Sequence, residues 1–485
     1  MINISKLRIK ILNNLDVRSN KELKKKLSKF NSLEKFVVIC APFIFSNKFI
    51  KYKHSKTNYL TKFYQIKKTI KSTIFFLVKC FLNQIFILKP KFEKKIFFFS
   101  NRTTDQYNIF PLSNDLVKKN IKHTLLFNGN ADVLKAIKSK FKKKIYEIRD
   151  LLIISDLLKG YFNFINKKKE IIKLCKILSF KNDKKKEIFS FFLFFFIYVE
   201  LYRRVLKNTK IDMAFANKFN SPDLCALIYY LKYEKNKKNF LSISYALIGI
   251  GAESGLYIHS NSDIILAPSK QDFKIFNMIN KNGVSILSKP IVKVIGSVRN
   301  EIVKNRFYKK KSKKINILYI KSNSVHYDNI DDLALKMFVR VAKKFHKKIN
   351  FYIKDRYLKK SKIIQKMLSD NLITANNLVN DDEVFIEKSI INSDICVGTC
   401  SSAFTKQTLW LNKPTIQLFR NKMYFDQSLI SDKADNEREL DLLLKRISQT
   451  NYLEKMIFKS KKMQNKFYLV NQSPIENFYK YISII

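Results

Sequence analysis

The sequence is short of acid, glycine, proline and tryptophan. Of 485 residues only 39 are Asp or Glu, against 94 Lys or Arg, which leaves a formal charge of +55. Glycine and proline occur eight times each and tryptophan once, while Phe (42) and Tyr (23) are abundant. Lys, Ile, Phe, Asn and Tyr have A/T-rich codons, so codon bias is one source of the excess charge. Attraction to an anionic partner, a nucleic acid or an acidic membrane surface, is the other. A hydrophobic share of 46% excludes a disordered chain. At roughly 150 residues per domain the length suggests about two or three domains.

Several signatures are missing. Cys40, Cys80, Cys175, Cys225, Cys396 and Cys400 include no Cys-x-x-Cys, which argues against a zinc ribbon or a redox pair. Scattered cysteines in a large chain fit a reducing compartment. His54, His123, His259, His326 and His346 form no ligand-spaced cluster, so no metal site is expected. MINISKLRIKILNNL is basic but has no long apolar core or small-residue cleavage site, and no secretory leader is read there.

No run reaches the about 20 apolar residues of a spanning helix. Residues 72–89 (STIFFLVKCFLNQIFILK) are interrupted by Lys79, Asn83 and Gln84. A mid-membrane lysine costs about 2.5–3.5 kcal/mol on insertion scales. Residues 188–199 (IFSFFLFFFIYV) are too few. Each run has two readings, a buried core helix or an interfacial helix whose aromatics dip among headgroups while flanking lysines meet anionic lipid.

Residues 1–92 read as a basic, mostly helical extension with membrane contact as one of its readings. Then the pattern alternates. KKIFFFS reads as a strand, NRTTDQYN as a polar loop, 112–119 as a helix and HTLLFNGN as a strand. IDMAFAN, a helix capped by Ser221, FLSISYA, SDIILAPS, the helix QDFKIFNMI and VKVIGSV continue it. Residues 305–314 (NRFYKKKSKK) read as a linker. A second alternating half follows: INILYI, an amphipathic helix with acid at its start, INFYIK, DICVGT, a helix entered through two serines, and TIQLF. The tail from Asp435 reads as helical. Strand–helix alternation predicts an α/β fold with parallel sheets, doubly wound in two halves. Ligands of such folds sit at the carboxyl ends of the strands, and a cleft between two domains is a natural site.

The segment SDICVGTCSSAFTKQTLWLNKPTIQLF (393–419) carries the most chemistry. A strand ends in Thr399 and a polar loop, and Ser401 and Ser402 open a helix. A helix start offers free N–H groups and a positive dipole end, hence an anion seat. Serine is also an ordinary N-cap. The segment resembles the C-terminal motif of GT-B glycosyltransferases of bacterial surface polysaccharide (capsule, lipopolysaccharide) synthesis and of the related CDP-glycerol glycerophosphotransferases. The matching residues are Asp394, Gly398, Ser401, Ser402, Lys413 and Pro414. Gln407 stands where the family often has a Glu on the donor ribose, and Asn412 replaces a Gly. VIGSVRNEI (294–302) resembles the family's V-x-G-x-P-R strand, with Val298 for the Pro. Lys354 and Arg356 occupy the slot of a Lys-x-His-Pro loop that lies over donor phosphates.

The resemblance implies two Rossmann-like domains facing a cleft: an acceptor domain over 93–304, a linker over 305–314, and a nucleotide-donor domain with a helical tail over 315–485. It implies a nucleotide-sugar donor bound by Lys354, Arg356, Thr399, Ser401, Ser402 and Gln407, and a glycan or lipid-linked acceptor at the inner face of the cytoplasmic membrane. No Asp-x-Asp occurs, which fits a metal-independent reaction, and no cofactor is expected. The nearest pairs, Asp331–Asp332 and Asp381–Asp382, read as helix caps. A base for the acceptor hydroxyl would come from Glu253, His259 or Asp105. GIGAESG (249–255) is one residue too long for a dinucleotide fingerprint and reads as a loop facing the cleft. Transfer of a polyol phosphate from a CDP-activated donor, or an inactive relative, are the alternatives. No base-reading element points to a specific nucleic-acid partner.

Overall fold

The computed structural model describes residues 76–85, 92–93, 95–100, 103–128, 145–177, 182–217, 221–236, 239–245, 262–270, 273, 290–298, 312–321, 328–355, 361–379, 386–399, 408–419, 431–467 and 472–482. The loop 246–261 and most of the expected extension and linker lie outside these residues, as does nearly all of the helix read at QDFKIFNMI.

The first half builds a seven-stranded sheet from β1 (Lys95–Ser100), β2 (His123–Asn128), β3 (Ile145–Glu147), β4 (Met213–Ala216), β5 (Leu241–Tyr245), β6 (Ile264–Ala267) and β7 (Ile291–Val294). Its order is β3-β2-β1-β4-β5-β6-β7 and every pair is parallel. The order begins as the 3-2-1-4-5-6 of dinucleotide-binding sheets. Strands buried on both faces need continuous apolar runs, and MAFA is buried throughout. Leu126, Ala214, Ala216 and Ile265 face one core. Leu125, Phe127, Met213 and Phe215 face another.

The second half builds a five-stranded parallel sheet from β8 (Ile315–Ile320), β9 (Ile349–Lys354), β10 (Ile395–Gly398), β11 (Thr415–Leu418) and β12 (Ser431–Ala434). The order β12-β11-β10-β8-β9 is the 2-1-3-4-5 of the other common doubly wound sheet. The chain is thus an α/β protein with two Rossmann-like sheets. β7 and β8 belong to different sheets, so no sheet runs through 292–320. β12 and β3, four and three residues long, went unread in the sequence.

Among the described residues the helices of seven residues or more are α1 (76–85), α2 (Thr103–Lys118), α3 (Ile154–Ile177), α4 (Asn182–Val205), α5 (Pro222–Tyr229), α6 (Asp328–Lys344), α7 (Lys362–Ser369), α8 (Ile386–Asn392), α9 (Glu437–Ile447), α10 (Thr450–Phe467) and α11 (Pro474–Ile482), and of the helix read after Ser401 and Ser402 only Thr408–Trp410 is described. α2 begins within the stretch read as a polar loop and carries Pro111. Ile109, Leu112 and Leu116 bury one face of it against the sheet. That packing outweighs the polar start. α5 has Ser221 at its N-cap position, but the side chain makes no cap bond, and Pro222 presets the first turn.

α3 and α4 form a hairpin over one face of the first sheet. Ile188, Phe191, Phe192 and residues 195–199 are buried, with Phe rings meeting edge to face 5.3–6.3 Å apart. Run 188–199 is therefore core. Gly160 permits the close crossing, since a Cβ there would lie 2.5 Å from Ile197 Cα. α11 crosses back to the first sheet, away from the donor half to which the sequence assigns the helical tail. Phe478 meets Phe215 at 5.3 Å, and Asn477 Nδ2 donates to the Ile295 carbonyl at 3.3 Å. Gly296, at φ +94°, makes room, because a Cβ there would meet Pro474 at 2.9 Å.

Candidate functional site

Connections leave β8 on opposite sides, to β9 one way and β10 the other, so the second sheet has its switch point between β8 and β10. A crevice at the carboxyl ends of such strands is where doubly wound sheets bind ligands. Thr399 follows β10 and Lys321 follows β8. Between them stands Asp331 of α6, fully buried. Its Oδ1 accepts from Tyr319 Oη at 3.0 Å and from Thr399 Oγ1 at 2.7 Å. Its Oδ2 lies 3.8 Å from Lys321 Nζ, which also pairs with Asp332 at 3.1 Å. One carboxylate thus ties β8, β10 and α6 together.

The Lys321 side chain is 8% exposed. Burial alone would push its ammonium down, but the Asp332 hydrogen bond and the Asp331 charge hold it above its ordinary range. It remains a cation at neutral pH. Burial, with Asp331 beside it, pushes the Tyr319 phenol well above its usual value, so this hydroxyl stays a donor. Lys354 ends β9 and is 8% exposed, and Asp355 after it is buried as well. The Thr399 carbonyl accepts from Gln417 Nε2 at 3.1 Å. The edge therefore holds two largely buried ammonium groups among three carboxylates, fixed before any ligand arrives.

Asp331 was missed as a bridging group. Its signal was register: Leu335, Phe338 and Ala342 continue its spacing down the buried face of α6. α6 begins at Asp328, so Asp331 lies inside the first turn rather than at the cap.

The motif residues divide in two. Asp394 Oδ2 accepts from the Asn316 amide at 2.9 Å, which ties β10 to β8 at the amino end of the sheet. Lys413 Nζ donates to the carbonyls of Ile391 and Ser393, closing the end of α8. Asn412 has φ +55°, the left-handed region that glycine, and after it asparagine, tolerates best. Asn412, which stands where the resembled motif has Gly, keeps that turn. These three residues are scaffold. Thr399 lies at the carboxyl end, with its hydroxyl donating to Asp331. Arg356, Ser401, Ser402, Gln407 and the pair Asp381–Asp382 lie outside the described residues.

On the first sheet the order reverses between β1 and β4. Asp105 is the third residue of α2, at the carboxyl end of β1. Glu253 and His259 follow β5, outside the described residues. A carboxylate the sequence reading passed over lies nearby. Asp223 enters α5 just after β4 and is 3% exposed. Burial pushes its carboxyl up, while hydrogen bonds from Ser221, Asn128 and the Asp223 and Leu224 amides pull it down. The net shift is upward. Val298, which stands where the resembled strand motif has Pro, keeps an amide that donates to Tyr245 Oη at 3.2 Å.

Other reactive types are structural. Burial first, then the Asp156 charge, pushes the Cys80 thiol up to about 11, and burial does the same to Cys396. His123 is fully buried between Ser113 Oγ at 2.8 Å and the Ile121 carbonyl at 2.9 Å. Among the described residues no three His, Cys, Asp or Glu side chains gather as a metal site would require.

No family model matches the chain, and no curated protein matches it. Solved structures resemble it at low identity. The UDP-GlcNAc 2-epimerase of Neisseria meningitidis, bound to UDP-GlcNAc, is 15% identical with a TM-score of 0.49, over 75% of this chain and 94% of that one. The S. aureus MnaA–UDP co-structure is 12% identical at 0.48, over 81% and 98%. The calicheamicin glycosyltransferase CalG4 is 9% identical at 0.42, over 81% and 98%. Identities this low and scores below one half leave the two sheet orders as the ground for the fold.

Proposed function

We propose that the chain is a nucleotide-sugar-dependent glycosyltransferase. The observation that carries this reading is the braced edge at the switch point of the second sheet, where two ammonium donors are held among carboxylates beside the strand end where the motif resemblance puts a donor diphosphate. Lys321 and Lys354 supply ammonium donors at that edge while Asp331, Asp332 and Asp355 offset their charge, so a leaving nucleotide diphosphate is met there by N–H donors and not by net positive charge. The N–H groups at Ser401 and Ser402 seat the diphosphate, Arg356 adds charge, and Gln407 bonds the ribose. The acceptor, a surface glycan or a lipid-linked precursor at the inner face of the cytoplasmic membrane, enters over the carboxyl ends of β1, β4 and β5. Asp105, Glu253 and His259 are the base candidates on that side.

Calorimetric titration of UDP, CDP and CMP tests the donor side. Wild type binds a nucleoside diphosphate. Replacing Lys321 by Met removes a charge-assisted bond worth about 1.5–3 kcal/mol and weakens that binding at least about tenfold. No nucleotide binding by wild type would overturn the reading in favour of an inactive relative. In a turnover assay, release of UDP that depends on acceptor supports transfer. CMP released from CDP-glycerol points to a polyol phosphate transferase. A nucleotide sugar rearranged without acceptor points to an epimerase, the activity named for the Neisseria protein.

A further inference from the structure

Two helices of the first half show water an apolar stripe that nothing among the described residues covers. On α1 the stripe is Leu77, Val78, Phe81, Leu82 and Ile85, with Phe81 58% exposed. α1 is held from its opposite side: Cys80 is buried in the core, Asn83 Nδ2 donates to the Leu152 carbonyl at 3.0 Å, and Lys79 pairs with Asp150. On α3 the stripe is Leu158, Tyr161, Phe162 and Ile165, with Phe162 63% exposed. α3 starts at Ile154, two residues beyond the carbonyl that holds α1, so α1 is anchored on the segment that leads into α3. Isolated exposed apolar residues are ordinary, but contiguous ones mark a contact surface.

The charge on α3 identifies the partner. Spacing of three and four residues carries the stripe from Leu158 through Phe162 and Ile165 to Lys169 and Lys176. The same side of one helix thus runs from apolar to cationic, and Lys168, Lys169 and Lys176 are all exposed. A nucleic acid would meet the lysines but gains nothing from an aliphatic stripe. An anionic bilayer takes both, with Leu and Phe in the headgroup boundary and ammonium groups among the phosphates. Among the described residues no helix is long and apolar enough to cross a membrane.

We propose that the exposed faces of α1 and α3 form a docking surface for an anionic lipid bilayer, on which these two helices lie without spanning it. This surface stands apart from the nucleotide edge and does not depend on the sugar-transfer reading.

The full chain is sedimented with phosphatidylcholine vesicles and with vesicles that also carry phosphatidylglycerol. Wild type binds the anionic vesicles, and binding weakens but persists in high salt. The pairs Leu158→Ser with Phe162→Ser, and Phe81→Ser with Leu82→Ser, each lower the partition coefficient at least about tenfold, since each fully buried Leu or Phe is worth about a factor of ten or more. The residual binding of these variants is lost in salt. Lys169→Gln with Lys176→Gln weakens binding at low salt only. In a Phe162→Trp variant the added emission shifts to the blue with anionic vesicles, against the background of the buried Trp410. The replaced residues are already exposed, so melting and nucleotide titration stay unchanged. Three results would overturn the proposal: no vesicle binding by wild type, equal binding by the serine variants, or a change in oligomeric state in those variants with vesicle binding intact, which would make the face a contact between copies.

Discussion

The bond from Thr399 Oγ1 to Asp331 can be removed without changing side-chain shape. Thr399→Val leaves a buried carboxylate one donor short, which costs about 1.5–3 kcal/mol. Calorimetry should show a lower melting temperature, and the loosened brace should weaken nucleotide binding. Asp223 behaves in the opposite sense. Its folded carboxyl holds its proton more tightly than an unfolded one does, so the native state binds more protons and stability falls as pH rises. The loss begins in the ordinary aspartate range and is complete above the raised folded value. Asp223→Asn removes that loss. The variant should unfold at higher denaturant than wild type at neutral pH, and the gap should close as pH falls into the carboxylate range. A gap of equal size at both pH values would show that the shift is not what sets the difference.

Among the elements, Gly160 decides between two effects. Glycine inside a helix normally costs about 0.5–1 kcal/mol against alanine. Here an added Cβ would sit 2.5 Å from Ile197 Cα and 2.7 Å from its amide, both backbone atoms that cannot rotate away. Overpacking costs about 1–3 kcal/mol or more, so the clash wins. Gly160→Ala should lower the melting temperature, whereas an ordinary mid-helix exchange of this kind raises it. The same local logic shows what the sequence displayed. β8 and β9 were legible to the residue because INILYI and INFYIK are apolar runs bounded by lysines. β3 was not, since three residues carry no periodicity. The start of α2 was hidden because its first turns are polar, and its helical reason lies in the sheet it covers. At the candidate site, the strand ends carrying Thr399 and Lys354 were legible from motif and position. Asp331 and Lys321 were not, because their meaning comes from strands brought together by crossovers.

At the scale of the whole molecule the two sheets take different strand orders, yet each reverses once and so has one switch point. The halves are tied by α11. Phe478 is fully buried in the core of the first sheet, with Phe215 against it. Phe478→Ala should destabilise the first half by about 3–5 kcal/mol, although the residue lies far along the chain. Hydrogen exchange should then rise in β1, β4 and β5, while β8 to β11 keep their protection. This closure also orders events on the ribosome. The first sheet emerges before the second, but one residue of its core is synthesised only after all the strands of the second sheet. That sheet cannot complete its packing until the strands of the second sheet have been translated, and its final consolidation waits for α11 to follow them out of the ribosome.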